Sequence, residues 1–224
     1  MRKPHRAIRT TSDSTSARTV VGIDVGGPKK GFHAVALGGS HVRGQMVSSD
    51  EQEIVHWCTH TMDAAVIAVD APSRWAARGE SRAAERQLMQ QRISCFSAPT
   101  RAQALAHPTG YFDWMLRGEA LYRALRPTHP ICEQWPPLRD RYCFETFPHA
   151  ITWHLRGGNA DAKLKRPQRR QLLAQRQIAL DTLTNIDLVD AALCAVAAQA
   201  AARGERLVSF GDARTGLILV PARP

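Results

Sequence analysis

Thr19-Val20-Val21-Gly22-Ile23-Asp24, followed by a turn at Gly26-Gly27-Pro28, is the stretch that decides how the rest of the chain is read. An apolar run of strand length that closes on one acid and then on a glycine turn reads as an interior strand opening onto a loop. Working outward, residues 32–37 and 42–47, separated by Gly38-Gly39-Ser40, read as two more strands of a meander. Residues 50–61 resemble a helix, and residues 64–70 are a second continuous apolar run that also ends on an acid. Runs apolar on both faces suit strands of a sheet covered by helices on both sides.

Farther along, residues 81–92 and 112–125 have helical spacing, and Pro127 closes the second of these. The Pro-rich segment 127–137 reads as loop. Residues 142–145 form a third buried-strand candidate, and Pro148 can open a helix at its first turn. Gly157-Gly158-Asn159 breaks that helix, residues 168–183 read as another, residues 187–202 as an Ala-rich helix and residues 216–220 as a terminal strand. There is no internal repeat. A meander followed by helices alternating with strands predicts an α/β layered domain. The 224 residues suit one domain from residue 19 onward, preceded by a flexible basic tail over residues 1–18.

With 44% hydrophobic and 22% charged residues, disordered and fibrous classes are excluded. No apolar run reaches membrane-spanning length, and the amino-terminal residues lack the apolar core of a secretory signal. Five scattered cysteines without a C-x-x-C pair argue against a disulfide framework or a zinc ribbon and point to the reducing cytoplasm. The net charge of +10 is concentrated in two places. Residues 1–18 carry Arg2, Lys3, Arg6, Arg9 and Arg18, and residues 161–176 carry Lys163, Lys165, Arg166, Arg169, Arg170 and Arg176. A polyanion-binding stretch and a solvated basic helix both fit the second group.

Asp24, Asp70 and Glu145 each fall at the carboxyl end of an apolar strand candidate, the edge where ligands bind in open α/β sheets. If these strands are parallel neighbours, the three carboxylates should converge. Asp187 and Asp190 open the Ala-rich helix, and their i, i+3 spacing points both to one face. Capping of the helix start is one reading of this pair. The other is a cation site, since several carboxylates on one edge need a counter-charge and hard oxygen ligands suit Mg²⁺ or Mn²⁺.

Several of these motifs, in this order, also resemble a known family. They are Val-Gly-Ile-Asp-Val-Gly-Gly with Lys30-Gly31-Phe32, Val-Asp-Ala-Pro at 69–72, Arg82-x-x-Glu85, Glu145-Thr-Phe-Pro148 and the segment 165–173. Asp187-x-x-Asp190-Ala-Ala and the ending Gly216-Leu-Ile-Leu-Val-Pro221 complete the set. Over residues 19–221 the chain resembles an uncharacterised-domain family of predicted RNase H-like nucleases. The resemblance implies an RNase H-like fold: a five-stranded mixed sheet with helices on both faces, in which the first, fourth and fifth strands are parallel neighbours. The start of the final helix is also similar to that of Holliday-junction resolvases. By that analogy Asp24, Asp70, Asp187 and Asp190 would bind Mg²⁺ or Mn²⁺, with Glu145 as a further acid in the catalytic group. Lys30, Arg82, Lys165, Arg166, Arg169 and Arg170 would then contact a nucleic-acid substrate.

The function this implies is metal-dependent cleavage of a nucleic-acid phosphodiester, with DNA, RNA and oligomeric state left open. A phosphotransferase of the sugar-kinase and actin type is an alternative, because Asp24-Val-Gly-Gly also resembles that group's phosphate loop, although such proteins duplicate the fold. A binding protein without catalysis is a further alternative. His56-x-x-x-His60 has metal-ligand spacing but lacks the adjacent Glu, and reads as a solvated helix face. His149, His154 and the five tryptophans read mainly as packing.

Overall fold

A computed structural model describes residues 18–224, so the expected basic tail lies outside the described residues except at its last position. The opening run folds as strand β1 (Val20–Val25) and the meander as β2 (Phe32–Gly38) and β3 (His41–Ser48). The remaining strands are β4 (Val66–Asp70), β5 (Tyr142–Glu145), β6 (Leu207–Asp212) and β7 (Gly216–Pro221). They form one mixed sheet of order β3-β2-β1-β4-β5-β7-β6. β1 pairs antiparallel with β2 and parallel with β4, and β4 pairs parallel with β5. The expected five-stranded RNase H-like arrangement is therefore present. It is extended past β5 by β7 and β6, which gives seven strands rather than five.

Strand alternation divides the core. Val21, Ile23 and Val25 pack with Ile54 of α1 (Glu51–His56) and with Leu121 and Leu125 of α4 (Asp113–Leu125). Val20 and the neighbouring Val35 and Val66 pack on the opposite face against α7 (Ile186–Ala202). That contact is backbone-close: a Cβ on Gly22 would stand 2.0 Å from the Ala191 carbonyl oxygen and 2.1 Å from the Ala195 nitrogen. Gly22 and the alanines of α7 let the helix lie directly on the centre of the sheet, which fixes where its first turn falls.

The other helices are α2 (Ala83–Gln90), α3 (Arg101–Leu105), α5 (Pro148–Leu155) and α6 (Lys165–Gln175). α1 continues into a π-helical turn, Trp57–Thr61. The helix expected over residues 168–183 begins earlier and ends at Gln175, where Gln177 takes a positive φ of 58° that no helix interior accepts. β6 and α3 were not expected. β6 is half-exposed and its apolar Leu207, Val208 and Phe210 do not alternate regularly, and α3 is a five-residue turn held by a Thr100–Gln103 capping box.

Candidate metal centre

Asp24 is paired across β2 with His33 and across β4 with Asp70. Residues directly opposite each other in a ladder project to the same face, so His33, Asp24 and Asp70 form a row at the carboxyl edge, on the face that carries α7. Asn185 caps α7, its side chain accepting from Leu188 N–H at 2.8 Å. Asp187 and Asp190 are thus not the caps that one reading of the sequence allowed. Asp187 and Asp190 instead face the row from one turn of the helix.

Two cations hold these acids. Lys30 Nζ donates to both carboxylate oxygens of Asp187 at 3.0 and 3.1 Å, and Arg169 of α6 forms a buried ion pair with Asp190. Lys30 stands on the Gly26–Gly31 turn, and its side chain is 61% exposed, so one end of this pair is free to exchange.

The cations do not neutralise the cluster. Burial first, then Asp70, Asp190 and Asp187, push the Asp24 carboxyl well above its ordinary range. Asp70 is raised by burial and by Asp190, with Arg169 opposing, and Asp190 is raised by burial against the pull of Arg169. Carboxylates buried beside one another disfavour each other's ionisation, and such a group can take up either a proton or a cation. One oxygen each from Asp24 and Asp187 and one ring nitrogen of His33 lie within 4.8 Å of one another. His33 Nδ1 is buried and has no hydrogen-bond partner.

Glu145 goes elsewhere. It is in register with Val69, one residue short of Asp70, and one residue of offset turns a strand side chain to the other face. There Arg82 donates to it through Nη1 at 2.9 Å and Nη2 at 2.6 Å, and Ser73 donates through its backbone N–H at 2.8 Å and its hydroxyl at 2.9 Å. Arg82 is also bound by Glu85, Nε to Oε1, at 2.7 Å. Asp24 and Asp70 therefore meet in the row as expected, whereas Glu145 is taken up by Arg82 and Ser73 on the other face, from where it still lines a cavity with Asp70 and disfavours its ionisation. Arg82, expected to reach substrate, is 3% exposed and fully occupied by two carboxylates. The triad ties the loop after Asp70 to α2.

The basic stretch divides likewise. Arg169 faces Asp190, and Arg170 donates to the Leu183 carbonyl at 3.1 Å. Lys165 and Arg166 are exposed at the amino-terminal end of α6, and Lys165 lies close enough to stabilise ionised Asp190. This end of α6 flanks the acid cluster. A cavity beside Asp70 is lined by Phe96, Trp114 and Phe147.

Sequence reasoning missed His33. Its signal was a polar ring in a strand whose every other residue is apolar or Gly.

The sheet order and the acid row define an α/β protein of the RNase H-like class. The family model for "Protein of unknown function (DUF429)" matches residues 22–215, and the chain belongs to that family. The fold is also similar to the Thermus thermophilus RuvC structure, at 16% identity and a TM-score of 0.43 over 83% of this chain and 96% of that one. No curated protein matches the chain.

Proposed function

We propose that the protein is a divalent-metal-dependent phosphodiesterase acting on nucleic acid. The observation that carries this reading is the row of Asp24 and Asp70 with Asp187 and Asp190 above it, four acids of which Asp187 and Asp190 are ion-paired with a cation. Asp24 and Asp187 would hold the ion, with Asp70 and Asp190 beside them, and Mg²⁺ or Mn²⁺ suits such a donor set. When bound, the ion would polarise a phosphoryl oxygen and make a water acidic enough to attack.

The chain's own residues supply the rest. Arg169 favours the ionised form of Asp190 against the effect of burial and holds its carboxylate in a buried ion pair. Lys30 holds Asp187 through a side chain that is largely exposed, so it could turn to a phosphate. Lys165, close enough to act on Asp190, and the adjacent Arg166 would offer two exposed cations to a phosphate backbone. Phe96 and Trp114 line the cavity beside Asp70 and are the rings on which a splayed base would stack. The reducing cytoplasm fits five free cysteines, and among the described residues no helix is long and apolar enough to cross a membrane.

The phosphotransferase reading has less support. The backbone N–H groups of Gly26, Lys30 and Gly31 bond within their own turn at 2.9–3.0 Å, so they are not free to cradle phosphate. All described strands belong to one sheet, without a duplicated half.

The test is cleavage of labelled single-stranded and duplex DNA and RNA with Mg²⁺, with Mn²⁺ and with chelator, using wild type and Asp24→Asn. Ion-dependent cleavage absent from the variant is expected. Cleavage that persists in chelator, or equal cleavage by both proteins, overturns the proposal.

A further inference from the structure

The acid row contains one donor that is not an oxygen. His33 stands opposite Asp24 in the ladder, is 5% exposed, and leaves Nδ1 buried without a partner. A buried polar atom without a hydrogen bond costs about 1–3 kcal/mol, so such an atom calls for a reason. His129, also buried, answers the demand through the Ala64 carbonyl at 2.8 Å and the Thr128 hydroxyl at 3.0 Å. His154 is likewise without a side-chain partner, but its ring is packed against Trp153 and Phe210 and belongs to no carboxylate cluster. His33 has a buried Nδ1 without a partner, and one of its ring nitrogens lies within 4.8 Å of a carboxylate oxygen of Asp24 and of Asp187, the one His/Cys/Asp/Glu group of ion-holding geometry among the described residues.

We propose that His33 is a nitrogen ligand of the divalent ion, with Asp24 and Asp187, and that it makes the site select Mn²⁺ over Mg²⁺. This rests on the preceding reading that the acid row holds a divalent ion. Adjacent ligands around a six-coordinate ion at about 2.1 Å stand about 3 Å apart, so three donor atoms within 4.8 Å of one another need only a small inward movement. Mg²⁺ prefers an all-oxygen shell and keeps its waters, whereas imidazole is a good ligand for first-row transition ions. An acid-only row would leave that choice to ion supply. An imidazole in the row makes the choice by ligand type.

The experiment is Mn²⁺ binding to the full chain followed by electron paramagnetic resonance, which counts free ion and detects a coordinated ¹⁴N nucleus through its modulation of the spin echo. Wild type is expected to bind Mn²⁺, to show imidazole nitrogen modulation, and to yield the ion only to a large excess of Mg²⁺. His33→Gln, which offers an oxygen, is expected to lose the nitrogen signal and most of the Mn²⁺ preference. His33→Phe, which keeps ring volume, is expected to weaken Mn²⁺ binding at least about tenfold. Wild type that binds Mn²⁺ in an Asp24-dependent way but without nitrogen modulation overturns the role of His33 while leaving the acid site intact, and that result needs no His33 variant to fold. Absence of Mn²⁺ binding to wild type overturns this proposal and the metal-dependent reading together.

Discussion

Replacing Asp24 by Asn separates a cation site from a structural turn aspartate. Asp24 lies between Asp70 and His33, and its carboxyl is held well above the ordinary 3.8 by burial and then by Asp70, Asp190 and Asp187. A carboxyl whose folded pKa exceeds its unfolded value binds more protons in the native state. The ion-free protein is therefore stabilised where that carboxyl is protonated, and it loses stability as pH rises from about 4 through the folded pKa. Each unit of elevation is worth about 1.4 kcal/mol. Asn is uncharged at every pH, so ion-free Asp24→Asn should match wild type near about pH 4 and exceed it by about 1–4 kcal/mol above neutrality. The upper figure is one charge–charge contact at about 4 Å in a medium of effective dielectric about 20. Divalent ions should reverse the order. An ion at a hundred times its dissociation constant stabilises the native state by about 2.7 kcal/mol, or roughly 5–11 °C for a chain of this length. Wild type should gain that rise with millimolar Mn²⁺, and Asp24→Asn should not. The assay is calorimetric melting of both proteins at acid and alkaline pH, with and without ion. Equal ion responses would refute the assignment of Asp24 to a cation site. An ion-free variant much less stable than wild type at alkaline pH would make Asp24 a turn residue.

Gly22→Val should destabilise the chain by about 3 kcal/mol or more in urea titration, because its Cβ would meet the α7 backbone at 2.0 Å. Arg82→Ala should cost about 3–5 kcal/mol by leaving Glu145 and Glu85 buried without their partner, while the melting shift on adding Mn²⁺ stays that of wild type. Loss of the ion shift in Glu145→Gln would instead return Glu145 to the ion site. Lys30→Gln should change stability by about 1 kcal/mol at most, since the pair is solvent-exposed, and should tighten Mn²⁺ binding by removing the competitor for Asp187, as read by isothermal titration. Reversing Lys165 and Arg166 together should weaken nucleic-acid binding and flatten its salt dependence, and an unchanged salt slope would assign them to solubility.

Much of the site was legible in the chain itself because strand and helix periodicities are local. An apolar run ending at Asp24, another ending at Asp70 and an i, i+3 pair opening an Ala-rich helix each announce themselves within a few residues. Strand ends and a helix start marked the acids as candidates for one edge, on the condition that their strands are parallel neighbours, a condition that local sequence does not itself supply.

The tertiary structure decided what depends on register. Whether Glu145 joins Asp70 or turns away from it is set by one residue of offset between β4 and β5, a quantity found in the pairing and in neither strand alone. The same holds for His33, which becomes a neighbour of Asp24 only through the β1–β2 ladder, and for Arg82, whose two carboxylate partners come from α2 and β5. Local sequence determines which side chains are polar and roughly which element carries them. Hydrogen-bonded register and the seating of α7 on Gly22 determine which of them meet.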